Sequence, residues 1–168
     1  MGETLWLVGM MGAGKSAVGR ALARRLGREF VDTDAEVEKR AGASVHEIFE
    51  SEGEAGFRVR EREALEAVAG RPAVVALGGG AIAQPGAPQR LAASGTVVYL
   101  QARPETLLAR VADAEARPLL RGLDAGARLE RIRRLLAARQ AAYRTASVIV
   151  ETDGLDAEAV AEAVAERL

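Results

Sequence analysis

The 168-residue sequence contains no cysteine and only one histidine, His46. Without cysteine the chain can form no disulfide framework, no thiolate zinc site and no cysteine nucleophile. A single histidine nearly excludes a histidine-based catalytic triad and a metal site built from several imidazoles. His46 itself has no neighbour in sequence that would make it catalytic, so we interpret it as a partly exposed helical residue.

Lysine is also scarce, because Lys15 and Lys39 are the only two in the chain and arginine supplies nearly all the positive charge. The net charge is -1. This argues against a protein that binds nucleic acid in general or that attaches to membranes through a polybasic surface. Hydrophobic residues make up 49% of a chain whose length suits one domain with a proper core. No signal peptide or segment of transmembrane length is visible, so we expect a cytoplasmic protein.

One motif dominates what is present, and it runs from Gly9 to Ser16 with the sequence GMMGAGKS. It matches the phosphate-binding pattern G-x-x-x-x-G-K-[ST]. Glycines allow backbone N–H groups to point inward around an anion, and the following helix adds its positive N-terminal dipole. Lys15 would supply a full charge to the outer phosphates, and the Ser16 hydroxyl would ligate Mg²⁺.

The surroundings of the loop fit that reading. The apolar run at residues 4–8 predicts a buried strand before it, and residues 16–26 predict a helix after it. Further along, apolar runs alternate with helical patterns at 29–32, 73–77, 96–100 and 147–150. We therefore predict an α/β fold with a parallel sheet covered on both faces, and ligands at the carboxyl ends of its strands.

Asp32 and Asp34 flank Thr33 directly after the second predicted strand. Residues two apart in an extended segment point the same way, so both carboxylates could face one cleft. One could help to hold hydrated Mg²⁺ beside Ser16, and the other could accept a proton from a substrate hydroxyl. The alternative is a solvated turn in which an aspartate caps the next helix.

Three other features favour ligand binding less strongly. Arg58 and Glu61 share one helix face and could present a guanidinium to a carboxylate, although spacing alone favours a surface ion pair. The glycines at 78–80 follow a buried strand, where close approach of a ligand to backbone amides is one explanation and a flexible turn is the other. Residues 112–126 around Arg117 could form a mobile lid or a plain surface loop. Arg139 by itself is typical of a solvated helical arginine.

Taken together, these motifs resemble the shikimate kinase family in order and spacing over almost the whole chain. The resemblance rests on GMMGAGKS, Asp32-Thr33-Asp34, Phe57-Arg58, the glycines at 78–80, Arg117-Pro118-Leu119-Leu120, and Arg139 with Tyr143. It implies transfer of the γ-phosphate of ATP to the 3-hydroxyl of shikimate. It also implies the fold of P-loop nucleoside monophosphate kinases, with a five-stranded parallel sheet of order 2-3-1-4-5 and a lid.

The resemblance assigns roles residue by residue. Residues 12–17, namely Gly12, Ala13, Gly14, Lys15, Ser16 and Ala17, would wrap the ATP phosphates, with Arg117 also on the phosphates and Arg110 stacked on adenine. Ser16 and Asp32 would serve Mg²⁺. Asp34 would be the base and bind ring hydroxyls, Arg58 and Arg139 would hold the shikimate carboxylate, and the Gly79 backbone would contact the substrate. Lys15, Asp34 and Arg117 are thus the expected catalytic residues.

The same reading makes residues 1–168 one kinase domain, with a substrate-binding region at about 34–62 and a lid at about 112–126. We expect a monomer that binds ATP and shikimate but no nucleic acid or membrane. One departure is the loop at 151–155, which is neither basic nor proline-containing as it often is in the family, so its adenine contact is open. The alternatives are another small-molecule kinase, such as a gluconate kinase, and a non-catalytic nucleotide-dependent switch.

Overall fold

The computed structural model of the chain describes residues 3–111, 113–114 and 117–168. Its strands are β1 (Thr4–Val8), β2 (Glu29–Asp32), β3 (Ala73–Ala76), β4 (Gly95–Gln101) and β5 (Val148–Glu151). Its helices are α1 (Lys15–Leu26), α2 (Thr33–Ala41), α3 (Val45–Val68), α4 (Ala87–Ser94), α5 (Pro104–Arg110), α6 (Ala125–Tyr143) and α7 (Ala157–Ala165).

All five strands form one parallel sheet in the order β2-β3-β1-β4-β5, which confirms the predicted topology. β1 lies at the centre, where Leu5 pairs with Val74 of β3 and with Thr96 of β4. The phosphate loop therefore leaves the middle of the sheet at its carboxyl edge. In an open parallel sheet, this is the edge at which ligands bind.

The main core explains why the strands read as apolar runs. Every residue of β1 and of β3 is buried, as expected for strands covered by helices on both faces. Trp6 and Leu7 are fully buried on the central strand. Thr4 is the polar exception, and its hydroxyl donates to the Arg71 carbonyl at 2.8 Å.

A second, smaller core lies between α2 and α3, away from the sheet. Its buried members are Val37, Ile48, Phe57 and Ala64. Phe57 also packs against Phe49, with ring centroids 4.8 Å apart. This small core orients the two helices that carry the predicted substrate residues Asp34 and Arg58.

Helix boundaries follow local signals where those signals are strong. Ser44 forms a capping box, accepting from the Glu47 N–H while the Glu47 carboxylate accepts from the Ser44 N–H at 2.7 Å. Gly27, in a left-handed conformation, ends α1 as predicted. The sequence predicts both ends, from Gly27 after the apolar pattern of the first helix and from Ser44 with Glu47 at the capping-box spacing, and both predictions are confirmed.

In the sequence, the glycines at 53 and 56 predict a break between two helices, and the structure has this break at Gly53. Gly53 has φ 70° and ψ −176°, a conformation open to glycine, and it kinks α3 there. Gly56 is helical, because the backbone resumes its helical path directly after the kink. Glu52 and Arg60 pair across the kink at 2.6 Å. Residues 45–68 thus form two helical segments that meet at a kink at Gly53.

The sequence predicts a helix over residues 85–93 with Pro85 near its first turn, but the helix begins later. α4 starts at Ala87, so it is Pro88 rather than Pro85 that occupies the first turn. Gly86, with φ 74°, precedes the helix and separates Pro85 from it.

The predicted lid falls partly outside the described residues, namely at 112, 115 and 116. Residues 118–122 form consecutive turns, with the Leu120 N–H bonded to the Arg117 carbonyl at 2.9 Å. Leu120 is fully buried and anchors this segment to the core. α6 begins at Ala125, so the last residues of the predicted lid belong to a helix.

Among the helices that the structure describes, none combines the length and the apolar character needed to cross a membrane.

Candidate active site

The phosphate loop joins β1 to α1, and the lysine of the loop is hydrogen-bonded to two of its backbone carbonyls. The Lys15 ammonium donates to the carbonyl oxygens of Gly9 at 2.7 Å and Met10 at 3.0 Å. Gly12 has φ 79°, and a Cβ there would lie 2.5 Å from the Leu107 carbonyl oxygen. Only glycine fits both the conformation and the space, so the loop path explains that residue of the motif.

The surroundings of Lys15 disfavour its positively charged form. Burial first, and then the charge of Arg117, lower its pKa from 10.5 to about 8, while Asp34 opposes the shift. Arg117 and Arg139 are both among the charges that act on Lys15. Several cations thus converge on one point, which is the electrostatic arrangement expected where a polyanion binds.

Asp32 has two separate roles at the start of α2. Its Oδ1 accepts from the N–H groups of Asp34 at 3.0 Å and Ala35 at 3.2 Å, which makes it the N-cap. Its Oδ2 accepts from the Ser16 hydroxyl at 3.0 Å. The capping role weighed as an alternative for this aspartate is therefore present together with the contact to Ser16.

Asp34 follows one residue into α2 and lies in the same cleft. Burial first, and then the neighbouring Asp32 carboxylate, raise its pKa above 3.8, while Lys15 opposes the shift. A raised pKa brings a carboxylate nearer to the range in which it can take a proton at neutral pH.

The cleft itself is a cavity of about 550 Å³ at the carboxyl edge of the sheet. Its walls contain seven of the eight residues predicted for ATP, namely Gly12, Gly14, Lys15, Ser16, Ala17, Arg110 and Arg117. They also contain Asp32, Asp34, Gly78 and Gly79. Ala13 is buried behind the loop, so only its backbone can serve the predicted role.

The glycines at 78–80 are the point on which the substrate residues converge. A Cβ on Gly78 would lie 3.0 Å from an Asp34 carboxylate oxygen and 3.2 Å from a Glu61 oxygen. A Cβ on Gly80 would lie 2.6 Å from Nη2 of Arg58 and 3.4 Å from Nη2 of Arg139. Side chains from three helices therefore crowd against this turn, which explains the absence of side chains on it.

Arg58 and Glu61 do not form the surface ion pair that spacing alone favours. Glu61 is 2% exposed, and its Oε1 accepts from Nη1 of Arg58 at 2.8 Å. Burial raises the pKa of Glu61, and the bond from Arg58 opposes that shift. The other oxygen, Oε2, and the Arg58 Nε are buried and have no hydrogen-bond partner among the described residues. A bound polar ligand nearby would supply what such groups ordinarily require.

Arg139 is likewise drawn into the site rather than solvated. Its Nη1 lies 3.7 Å from the Met10 sulfur and 3.1 Å from where a Gly79 Cβ would be. One turn later on α6, the Tyr143 hydroxyl donates to the Gly79 carbonyl at 2.8 Å.

Arg110 ends α5 and is anchored to the loop whose adenine contact the sequence leaves open. It donates to the Thr152 hydroxyl at 2.8 Å and to the Thr152 carbonyl at 2.6 Å. Sequence reasoning missed Thr152, which supports Arg110 from 42 positions away in the chain. It paired Glu61 with Arg58, but spacing could not show that this pair is buried. His46 is exposed and pairs with Glu50, which agrees with the expectation of no catalytic role.

Comparisons with known proteins agree with this geometry. The family model described as shikimate kinase matches residues 11–168. A shikimate kinase of Halorhodospira halophila is 48% identical over 166 residues, which cover 98% of this chain and 92% of that protein. One from Pseudomonas aeruginosa is 46% identical, covering 98% of this chain and 95% of that protein.

Solved structures give the same answer. A shikimate kinase from Acinetobacter baumannii in complex with shikimate superimposes with a TM-score of 0.90 and 41% identity, covering 99% of this chain and 93% of that one. A shikimate kinase from Aquifex aeolicus has a TM-score of 0.83 and 35% identity, covering 97% and 94%.

Proposed function

Since the chain belongs to the shikimate kinase family, we propose that it transfers the γ-phosphate of ATP to the 3-hydroxyl of shikimate. The products are shikimate 3-phosphate and ADP. The observation that carries the proposal is the convergence of Asp34, Arg58 and Arg139 around the glycines at 78–80, beside the phosphate loop. A nucleotide switch has no need for this second set of groups.

The phosphate loop and three cations form the ATP side of the site. The loop amides of residues 12–17 surround the phosphates, and Lys15 offsets charge on the transferring group. Arg117 lines the same cavity and acts on the same charge. Arg110, fixed by Thr152 and adjoining a shallow cavity with Gly154 and Leu155, lies against adenine.

Magnesium fits the donors present. Ser16 Oγ and Asp32 Oδ2 are hard oxygens 3.0 Å apart beside the phosphate loop. No cluster of three or more metal-ligating side chains occurs in residues 3–111, 113–114 and 117–168, which suits an ion held mainly by phosphates and water. Ser16 would hold the ion directly and Asp32 would hold it through water, and the bound ion would offset negative charge on the phosphates.

On the shikimate side, different residues bind the carboxylate and the hydroxyl groups of the substrate. Arg58 and Arg139 bind the carboxylate, since paired guanidinium N–H groups match its two oxygens. Asp34 accepts hydrogen bonds from ring hydroxyls, and the Gly79 N–H adds a backbone contact. Arg58 is held for this role by Glu61 on one side and Glu54, 3.6 Å away, on the other.

In the chemical step the 3-hydroxyl oxygen forms a bond to the γ-phosphorus, and the bond from that phosphorus to the bridging oxygen breaks. The hydroxyl proton passes to the Asp34 carboxylate, and ADP leaves with the bridging oxygen. Positioning and positive charge supply most of the catalysis in such transfers, so no covalent nucleophile is needed. This agrees with a chain without cysteine.

ADP release from MgATP, measured with and without shikimate, tests the function directly. We expect release to depend on shikimate and to be unaffected by gluconate. Release stimulated by gluconate instead would favour another small-molecule kinase, and no release with either acceptor would favour a non-catalytic switch.

We predict that Arg58→Ala raises the shikimate KM by about 10-fold or more and changes the MgATP KM less than twofold, because the lost charge faces only the acceptor. Steady-state kinetics with each substrate varied in turn measures both values. Arg62→Ala is the matched control, because Arg62 lies on the same helix but is exposed and paired to Glu66. Equal rises in both KM values for Arg58→Ala would contradict the assignment.

We predict that ATP affinity falls about tenfold per pH unit above pH 8. The Lys15 ammonium of the free protein loses its proton near that pH, whereas bound phosphates hold it protonated. The complex therefore carries one proton more than the free protein, and binding weakens as pH rises. Calorimetric titration with MgATP between pH 7 and 9.5 measures the slope. Lys15→Arg, whose guanidinium does not titrate there, should give a flat profile, and a flat profile for the wild-type protein would refute the prediction.

We further propose that residues 1–168 act as one monomeric kinase domain, with acceptor recognition in residues 34–62 and a lid over residues 112–126. One continuous sheet and the separate small core between α2 and α3 support this division. A cytoplasmic location would give access to ATP, and the net charge of -1 does not favour nucleic acid as a partner. Light scattering and cell fractionation test the oligomeric state and the location.

A further inference from the structure

Tyr143 is fully buried at the end of α6 and belongs to none of the roles assigned above. Its ring stacks on Tyr99 of β4, with centroids 4.8 Å apart and planes 12° from parallel. Its hydroxyl donates to the Gly79 carbonyl at 2.8 Å. Tyr143 therefore joins the sheet, the helix that carries Arg139, and the glycine turn.

The bond to Gly79 fixes more than one carbonyl. The Gly79 carbonyl and the Gly80 N–H belong to a single planar peptide unit and point in opposite directions. Holding the carbonyl against Tyr143 therefore aims the Gly80 N–H away from it. On the other side of Gly79, the Gly78 carbonyl accepts from the Ala81 N–H at 3.1 Å. The turn is thus fixed at both ends, although glycine itself imposes little conformational restriction.

Neither the Gly79 N–H nor the Gly80 N–H has a hydrogen-bond acceptor within the part of the chain that the structure describes. Successive free N–H groups at a turn form a concavity suited to an anion or a hydroxyl. Such groups bind well only if their direction is fixed before the ligand arrives. Tyr143 is the side chain that fixes it.

Arg139 precedes Tyr143 by one helical turn, so the two side chains share one face of α6. The Arg139 Nη1 lies 3.1 Å from where a Gly79 Cβ would be, so the guanidinium and the hydroxyl contact the turn from the same helix. A shift of α6 relative to the turn would therefore disturb both contacts.

We propose that Tyr143 is a positioning residue for the acceptor, acting through the 79–80 peptide and through Arg139; the inference rests on the proposed function. Burial raises the pKa of its hydroxyl to about 12, so the group remains a proton donor throughout the working pH range. The hydroxyl serves acceptor binding and not ATP binding, since its partner lies on the turn that faces Arg58 and Arg139.

Tyr143→Phe removes the hydroxyl and keeps the stacked ring. The shikimate KM should rise about five- to twenty-fold, with the MgATP KM within twofold of wild type. Tyr99→Phe is the matched control, because it removes the other hydroxyl of the same stack. That hydroxyl makes no hydrogen bond within the described residues, so both KM values should stay unchanged. A shikimate KM within twofold of wild type for Tyr143→Phe, or equal rises in both KM values, would overturn the proposal.

A spectroscopic measurement does not depend on how well Tyr143→Phe folds. The chain has two tyrosines, so Tyr99→Phe labelled with 3-fluorotyrosine carries one ¹⁹F reporter, at position 143. Its resonance should shift on addition of shikimate and should shift much less on addition of MgADP. No shift with shikimate would refute the role of Tyr143. Wild-type protein that fails to bind or phosphorylate shikimate would instead refute the proposed function, so the two failures are distinguishable.

Discussion

Asp34→Asn is expected to lower kcat by about 10²-fold or more while leaving the MgATP KM within a few-fold of wild type. The amide keeps the shape of the side chain and can still contact a ring hydroxyl, but it cannot take the hydroxyl proton. The raised pKa of Asp34, caused first by burial and then by Asp32, suits the carboxylate to that transfer. Single-turnover measurement of shikimate 3-phosphate formation reports the chemical step separately from product release.

Glu38→Gln is the matched control, because Glu38 lies one turn later on α2 and its side chain lines the same cavity. It is not placed to receive the proton, so its kcat should stay within about threefold of wild type. An unchanged kcat for Asp34→Asn would contradict its role as the base. Equal losses of kcat for both variants would mean that Asp34 contributes only negative charge to the cleft, as Glu38 does.

Lys15→Met is expected to lower kcat/KM for MgATP by about 10³-fold or more. Methionine has a similar length, so the main change is loss of a positive charge beside the transferring phosphate. The two carbonyl contacts that Lys15 makes with Gly9 and Met10 are lost as well, so the loop loses an internal support. Steady-state kinetics with MgATP varied, at saturating shikimate, measures the loss.

The chain offers a control for Lys15→Met in its second lysine. Lys39→Met changes an exposed residue in the last turn of α2, outside the cavity walls, and should leave kcat/KM near that of wild type. Retention of more than a tenth of wild-type activity by Lys15→Met would contradict the role given to this lysine. Melting temperatures of both variants separate loss of function from loss of folding.

The parts of the fold and site that sequence could predict are those specified by neighbouring residues. The phosphate loop, the Ser44 capping box and the glycine that ends α1 each involve a few consecutive positions. The sheet order came from resemblance to a family, because strand neighbours such as β1 and β3 are far apart in the chain. The alternation of strands and helices in the sequence indicates a parallel sheet but not the order of its strands.

What sequence could not predict depends on tertiary surroundings. The spacing of Arg58 and Glu61 is the same for an exposed pair and for a buried one, and only packing over Glu61 distinguishes them. Gly56 lies three residues beyond the kink and looks like a second breaker, yet only Gly53 departs from helical geometry. Arg139 is typical of a solvated arginine until α6 is seen to pass beside Gly79.

Asp32 has a consequence for how this site can change over evolutionary time. One of its oxygens closes the first turn of α2, and the other faces Ser16. Asparagine would keep the cap but lose the negative charge, whereas glutamate would keep the charge but move it one methylene away from the amides. Neither replacement keeps both contacts, so under the magnesium role proposed for Asp32 a change in metal binding would also change the helix that carries Asp34.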